Sequence, residues 1–128
     1  MELVTLVIAL ALVEYIAFGI LVGRARGQYG VAAPATSGHP TFDRYFRVHQ
    51  NTMELLVAFV PATWLFALYL STRWAAILGA LYLLGRVLYL KSYVADPARR
   101  SLGFGLSILP ILVMLVGVVV AAGLKALG

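Results

Sequence analysis

Residues 1–26, MELVTLVIALALVEYIAFGILVGRAR, hold an apolar run of about twenty residues interrupted by a single charged side chain, Glu14. A helix rises about 1.5 Å per residue, so this run is long enough to cross the roughly 30 Å hydrocarbon layer of a bilayer. Cleaved signal peptides begin with a basic region and carry a shorter apolar stretch. Here Met1 is followed by Glu2, and the run is long. The expectation is a retained first transmembrane helix.

The remainder of the chain repeats that composition. Its 128 residues are 62% hydrophobic, with a mean hydropathy of +0.95, whereas soluble domains are about half apolar. Apolar segments fall at 3–23, 45–71, 74–94 and 102–126. Backbone groups in lipid must be paired internally, so each segment is expected to be a helix. The fold class is therefore all-α and integral to the membrane: one four-transmembrane-helix bundle over residues 1–128. Residues 23–44, GRARGQYGVAAPATSGHPTFDR, are rich in Gly, Pro and Ser and read as a loop. The short STR at 71–73 implies an antiparallel hairpin, and VADPARRS at 94–101 is a turn marked by Asp96-Pro97.

Charge narrows the function classes. Ten basic and five acidic residues give a net charge of +5. In so apolar a chain that excess suits loops facing an anionic lipid surface. No basic helix or aromatic ladder points to nucleic acid. The chain has no cysteine, which removes disulfides, thiolate nucleophiles and thiolate metal sites; any thiol chemistry must use a thiol from outside. Two histidines, His39 and His49, do not make a histidine metal cluster. Arg24, Arg26, Arg44 and Arg47 flank the first connection, and Lys91, Arg99 and Arg100 the third. The opposite side has only Arg73 and Lys125. The positive-inside rule then places both polar loops in the cytoplasm.

Two polar stripes run into the apolar segments. Arg47, Asn51 and Glu54 are spaced i, i+4 and i+7 and share one face of the second helix. Tyr82, Arg86, Tyr89 and Tyr93 follow the same spacing on the third. At the helical rise, Glu54 lies about 18 Å beyond Phe42 and Arg86 about 12 Å before Val94, so the stripes reach similar depths. A charge at mid-membrane costs roughly 3 kcal/mol, so such groups face partners or a wet cavity. One reading is a Glu54–Arg86 ion pair locking two helices. The other is a pocket for a polar, charged ligand entered from the cytoplasm. Taken alone, Tyr89 and Tyr93 read as interfacial belt residues, Arg99 and Arg100 as topology signals, and Pro61 and Pro110 as helix kinks.

The run TSGHPTFDRYFRVHQNTME, residues 36–54, resembles the signature of the MAPEG family, the membrane-associated proteins of eicosanoid and glutathione metabolism. Its core is F-[DE]-R-x-x-R-x-x-x-N-x-x-E, here Phe42, Asp43, Arg44, Arg47, Asn51 and Glu54. A second motif, GRVLYLKSYVADPARRS at 85–101, is similar to the third helix and following loop of the microsomal glutathione transferase and leukotriene C synthase branches. The resemblance covers nearly the whole chain. It implies a homotrimer with sites between subunits, open to the cytosol, and glutathione as the bound thiol. Arg47, Asn51 and Glu54 would hold the tripeptide, with Tyr89 and Tyr93 from the third helix. Arg100 matches the arginine assigned to the thiol, Ser101 follows it, and Arg26 matches an arginine reaching in from the adjacent subunit. Gln50 and Tyr89 depart from the prostaglandin E synthase branch, which has a basic residue and a histidine there.

The implied activity is a glutathione transfer to lipophilic electrophiles, with reduction of lipid hydroperoxides as a second activity and no metal. The electrophile would enter sideways from the membrane lipids. A non-catalytic lipid-binding scaffold of the same fold is the alternative, and a transporter or channel subunit is a third reading. The complete polar set ending at Arg100 favours the enzyme.

Overall fold

A computed structural model describes all 128 residues. Four long helices run alternately up and down: α1 (Glu2–Tyr29), α2 (Pro40–Tyr69), α3 (Thr72–Ala95) and α4 (Ser101–Leu127). A one-turn 3-10 helix, Pro97–Arg99, links α3 to α4. All four are long and apolar enough to cross a membrane. Only 29 of 128 residues are buried, and large apolar side chains such as Ile20, Val57, Leu84 and Val119 stand exposed along the outside of the bundle. Water would not tolerate that surface, and lipid does. The chain is an integral membrane protein.

Two helices extend past the apolar segments that signalled them. α1 continues through Arg24 and Arg26 to Tyr29 and stops at Gly30, whose φ of 69° and ψ of 32° form a left-handed cap that glycine adopts without strain. α2 starts at Pro40, five residues before the apolar run at 45. His39 caps it, with Nδ1 accepting from the Thr41 N–H at 3.1 Å, and Pro40 occupies the first turn where its missing N–H costs nothing. Hydropathy marks where a helix meets lipid, not where its hydrogen bonds begin. The polar first turns of α2 therefore stand proud of the bilayer. Pro61 and Pro110 lie inside α2 and α4, which stay helical through them.

Ser71 accepts from the Trp74 N–H at 3.1 Å and closes the tight α2–α3 turn. At the opposite end, Asp96 accepts from the Ala98 N–H at 3.0 Å and starts the 3-10 turn. Arg44 ties the two polar connections together by donating from Nη1 to the Val94 carbonyl at 2.9 Å, one of the free carbonyls at the end of α3.

The main core stacks Val4, Val7 and Ala11 of α1 on Leu55, Phe59 and Phe66 of α2, with Tyr82, Ile111 and Met114 completing it. The Phe59 and Tyr82 rings stack with centroids 3.9 Å apart. α3 and α4 approach most closely. A Cβ on Gly103 would lie 2.6 Å from Tyr89 Cα, and one on Gly85 would lie 2.7 Å from the Ser107 amide nitrogen. Glycine at both places lets the backbones touch, and that contact sets Tyr89 and Ser107 beside the polar stripe of α3.

Candidate functional site

At the end of the bundle carrying the polar loops, a cavity of about 800 Å³ opens between α2, α3 and α4. Its walls are Arg47 and Asn51 from α2, Tyr89 and Tyr93 from α3, and Arg100, Ser101, Phe104 and Gly105 from the start of α4. Arg47, Arg100 and Ser101 are exposed at the mouth, and Asn51 and Tyr89 lie deeper. A smaller cleft of about 390 Å³ between α1 and α2 at the other end is lined by Ile8, Ala9, Val60, Pro61 and Trp64, with Thr5 as its one polar side chain. Of the two, the polar cavity is the one that gathers ionisable side chains.

Behind the lining residues Asn51 and Tyr89 lies Arg86, which is fully buried and does not itself line the cavity. Nε donates to Ser107 Oγ at 2.9 Å, and Nη1 donates to Asn51 Oδ1 at 2.7 Å and to Thr52 Oγ1 at 3.1 Å. The hydroxyl protons have other places to go: Thr52 donates to the Val48 carbonyl at 2.8 Å and Ser107 to the Gly103 carbonyl at 2.7 Å. Both oxygens are thus left as acceptors for the guanidinium. The same logic orients Asn51. Its Oδ1 is taken by Arg86, so its NH2 is the end available to a ligand.

The aromatic wall is layered on this guanidinium. The Arg86 guanidinium carbon lies 4.4 Å from the Tyr89 ring centroid, a cation–π contact out of water. Tyr89 stacks on Tyr93 at 5.4 Å and leans against Phe104 at 6.2 Å. With only 3% of its surface exposed, Tyr89 is a core residue and not a belt residue at the headgroup level.

The structure brings Arg47, Asn51, Tyr89, Tyr93, Arg100 and Ser101 to one cavity and leaves two expected site residues outside it. Glu54 is exposed one turn beyond Asn51 on the same face of α2. It does not pair with Arg86, and the only ion pair in the chain joins the N-terminal ammonium to Glu2. The amide and hydroxyls nearer to Arg86 take its place, satisfying the guanidinium without bringing a second charge out of water. Arg26 donates from Nη1 to the Ala35 carbonyl at 2.7 Å and sits 4.9 Å from the Phe42 ring centroid, holding the α1–α2 connection. Arg100 bonds the Pro97 carbonyl at 3.0 Å and is otherwise exposed. His49 stacks on Tyr15 at 4.4 Å, away from the cavity.

Sequence reasoning missed Thr52, Ser107 and Phe104. Thr52 had a signal, since it adjoins Asn51 on α2. Ser107 had a weaker one, as one of two hydroxyl residues in α4. Phe104 had none, being one apolar residue among many.

Over 112 residues, 88% of this chain and 82% of the relative, it is 47% identical to an uncharacterized protein of Synechocystis sp.. It is 38% identical over 91 residues to microsomal glutathione S-transferase 2 of Homo sapiens, covering 71% of this chain and 62% of that one. To leukotriene C4 synthase of Rattus norvegicus it is 32% identical over 83 residues, 65% of this chain and 55% of the relative. The match thus spans less than two thirds of the length of the human transferase and of the rat synthase. The profile of the MAPEG family matches residues 4–120. That match runs from the first helix nearly to the end of the fourth, through both motifs and every residue of the polar cavity, so this chain belongs to the MAPEG family.

Proposed function

We propose that the chain is a membrane-bound glutathione transferase that conjugates the glutathione thiolate to lipophilic electrophiles and reduces lipid hydroperoxides with the same thiol. The observation that carries this reading is the convergence of Arg47, Asn51, Tyr89, Tyr93, Arg100 and Ser101 on one cavity at the end of an otherwise apolar bundle. Glutathione brings two carboxylates, an ammonium, two amides and a thiol, and these residues suit most of them. Arg47 takes a carboxylate, the Asn51 NH2 a peptide carbonyl, and Ser101 and Tyr93 supply hydroxyls. No acid lines the cavity, so Glu54, one turn along the same helix face, receives the ammonium. Relatives named glutathione S-transferase support the co-substrate.

In this reading Arg100 holds the thiolate. A free thiol of pKa about 8.5 is only a few per cent ionised at pH 7, and the thiolate is the nucleophile. A guanidinium beside the sulfur lowers that value and stays charged itself. The thiol proton leaves to water at the open mouth. The sulfur then forms its bond to the electrophilic carbon as the leaving group departs with the bonding pair. Where the acceptor is a hydroperoxide, sulfur attacks the terminal oxygen, the O–O bond breaks, and a second glutathione completes the disulfide while water and the alcohol are released.

The assembly in this reading is a homotrimer with its sites facing the cytoplasm. Arg26 has no intrachain hydrogen bond from Nε or Nη2, and it contributes to the neighbouring subunit's site.

Purified protein is expected to gain ultraviolet thiolate absorbance when glutathione is added, and Arg100→Ala to lose it. If Arg100 depresses the thiol pKa by about two units, worth about 2.7 kcal/mol, its removal lowers aryl-halide conjugation roughly 25-fold at pH 7. The deficit should shrink as pH rises past about 8.5, where the free thiol ionises unaided. A full rate in Arg100→Ala at pH 7 would sink the thiol assignment. Bound glutathione without turnover of any electrophile would assign the chain to lipid binding instead.

A further inference from the structure

At the arginine-rich end of the bundle, between α1, α2 and α3, two small clefts adjoin. One, of about 180 Å³, is lined by Leu21, Arg24 and Gln28 of α1 and by Tyr45 of α2. The other, of about 300 Å³, is lined by Leu21 and Tyr45 again and by Leu90 and Lys91 of α3. Two shared lining residues make the clefts one groove, with Arg24 on its α1 bank and Lys91 on its α3 bank.

The groove is positive, and its polar side chains are unengaged. No acid lines either cleft. The side chains of Arg24, Gln28, Tyr45 and Lys91 make no hydrogen bond or ion pair within the chain; the arginines that do are Arg26, Arg44, Arg86 and Arg100. The free carbonyls that end α3 would repel an anion on the Lys91 bank. Arg44 takes them up, donating from Nη1 to Val94 at 2.9 Å and to Ala95 at 3.4 Å.

Beyond these groups the groove is apolar. Leu21 and Leu90 are half-buried and pack on the cluster of Phe18, Val48 and Tyr89, which fixes the floor. Val87 and Leu84, one and two turns before Lys91 on the same face of α3, stand exposed and continue the apolar path into the bilayer. Arg24 directly follows the first apolar segment, and Lys91 lies one turn inside the end of the third. Both cations therefore reach headgroup level, Lys91 by extending its stem.

A ligand suited to this groove carries negative charge at one end and hydrocarbon at the other. We propose that the groove binds one phospholipid of net negative charge, with Arg24 and Lys91 supplying cations to the headgroup from two banks and an acyl chain laid along Leu21 and Leu90. Basic pockets between transmembrane helices take anionic headgroups by the same chemistry. The guanidinium and the ammonium donate to phosphate oxygens, and the Gln28 amide and Tyr45 hydroxyl serve the remaining headgroup oxygens. A zwitterionic lipid presents its own ammonium to the same cations and is disfavoured.

The full chain in detergent, titrated with phosphatidylglycerol and read by native mass spectrometry, is expected to hold one lipid per chain and to bind phosphatidylcholine about tenfold more weakly. Combining Arg24→Gln with Lys91→Gln should weaken phosphatidylglycerol binding about thirtyfold, whereas Arg73→Gln with Arg99→Gln, which removes as much charge elsewhere, should leave it within about twofold. Arg24 and Lys91 are exposed and unbonded, so their replacement is expected to spare the fold. Lys91→Gln alone, expected to bind about fivefold more weakly, decides the matter if the double variant does not fold. Equal binding of the two lipids, or unchanged affinity in these groove variants, overturns the site. Glycerol phosphate, which has the charge without acyl chains, should not displace the lipid; displacement at equal concentration would mean a bare anion site and overturn the lipid. Disulfide trapping of Lys91→Cys between two copies would put a second chain over the groove and overturn it too. None of these readouts involves glutathione, so the lipid site stands or falls apart from the transferase reading.

Discussion

Arg86 shows how a guanidinium stays charged in the interior of an apolar bundle. Its acceptors are neutral oxygens whose own protons are committed to the helix backbone: Thr52 to the Val48 carbonyl and Ser107 to the Gly103 carbonyl. Deleting one of them strands a buried N–H, which costs about 1–3 kcal/mol. Ser107→Ala should therefore lower the unfolding free energy in detergent by that amount. Ser107→Thr keeps the hydroxyl, and its extra methyl must fit where the backbones of α3 and α4 meet at Gly85. A Ser107→Ala protein with unchanged unfolding would mean that Arg86 Nε finds another acceptor. The same bonds explain why Glu54, the obvious partner by helical spacing, stays outside. Spacing reports which residues share a face, and Arg47, Asn51 and Glu54 do share one. It does not rank their distances to a neighbouring helix, and the nearer amide wins over the more distant charge.

Among the elements, the α3–α4 contact controls the shape of the cavity. Gly85 and Gly103 bring two backbones together, and beside them Tyr89 and Phe104 line the cavity while Arg86 and Ser107 bond each other behind its wall. Gly103→Ala places a methyl against Tyr89 backbone atoms, which have nowhere to retreat. The helices must separate, at an expected cost of about 1–3 kcal/mol, and the Tyr89–Phe104 packing opens with them. Glutathione affinity and unfolding free energy should fall together. Gly123→Ala on the same helix meets nothing within 4 Å and should stabilise the chain slightly, by up to about 1 kcal/mol through helix propensity. Equal behaviour of the two variants would remove the contact from the account. Much of this element layer was legible. Apolar run lengths marked four helices, Gly and Pro marked the loops, and the two polar stripes marked the faces that enclose the cavity. The close helix pair was not legible, because glycines that permit contact look in sequence like those that merely sit in a helix, as Gly105 and Gly123 do. The early start of α2 was signalled by the His39-Pro40 cap, which hydropathy outweighs.

For the molecule as a whole, the cavity matters only on the side of the membrane where its ligand is found. The bundle has two unlike ends. One carries Arg24, Arg26, Arg44, Arg47, Lys91, Arg99 and Arg100 together with the cavity; the other carries Arg73, Lys125 and the apolar cleft. Charge counted over short connections orients membrane proteins during insertion, and glutathione is a cytosolic thiol in the reading proposed here. On both considerations the proposal is that the arginine-rich end faces the cytoplasm. The absence of cysteine makes this directly measurable, since any introduced thiol is unique. Ser37→Cys in the α1–α2 connection and Arg73→Cys in the α2–α3 turn are both exposed and lie at opposite ends. In intact bacterial cells expressing each variant, a membrane-impermeant maleimide should label Arg73→Cys and spare Ser37→Cys until the membrane is permeabilised. The opposite pattern would put the cavity on the outer face. Glutathione from the cytoplasm would then not reach Arg100, and the transferase reading would fail on access even with its chemistry intact.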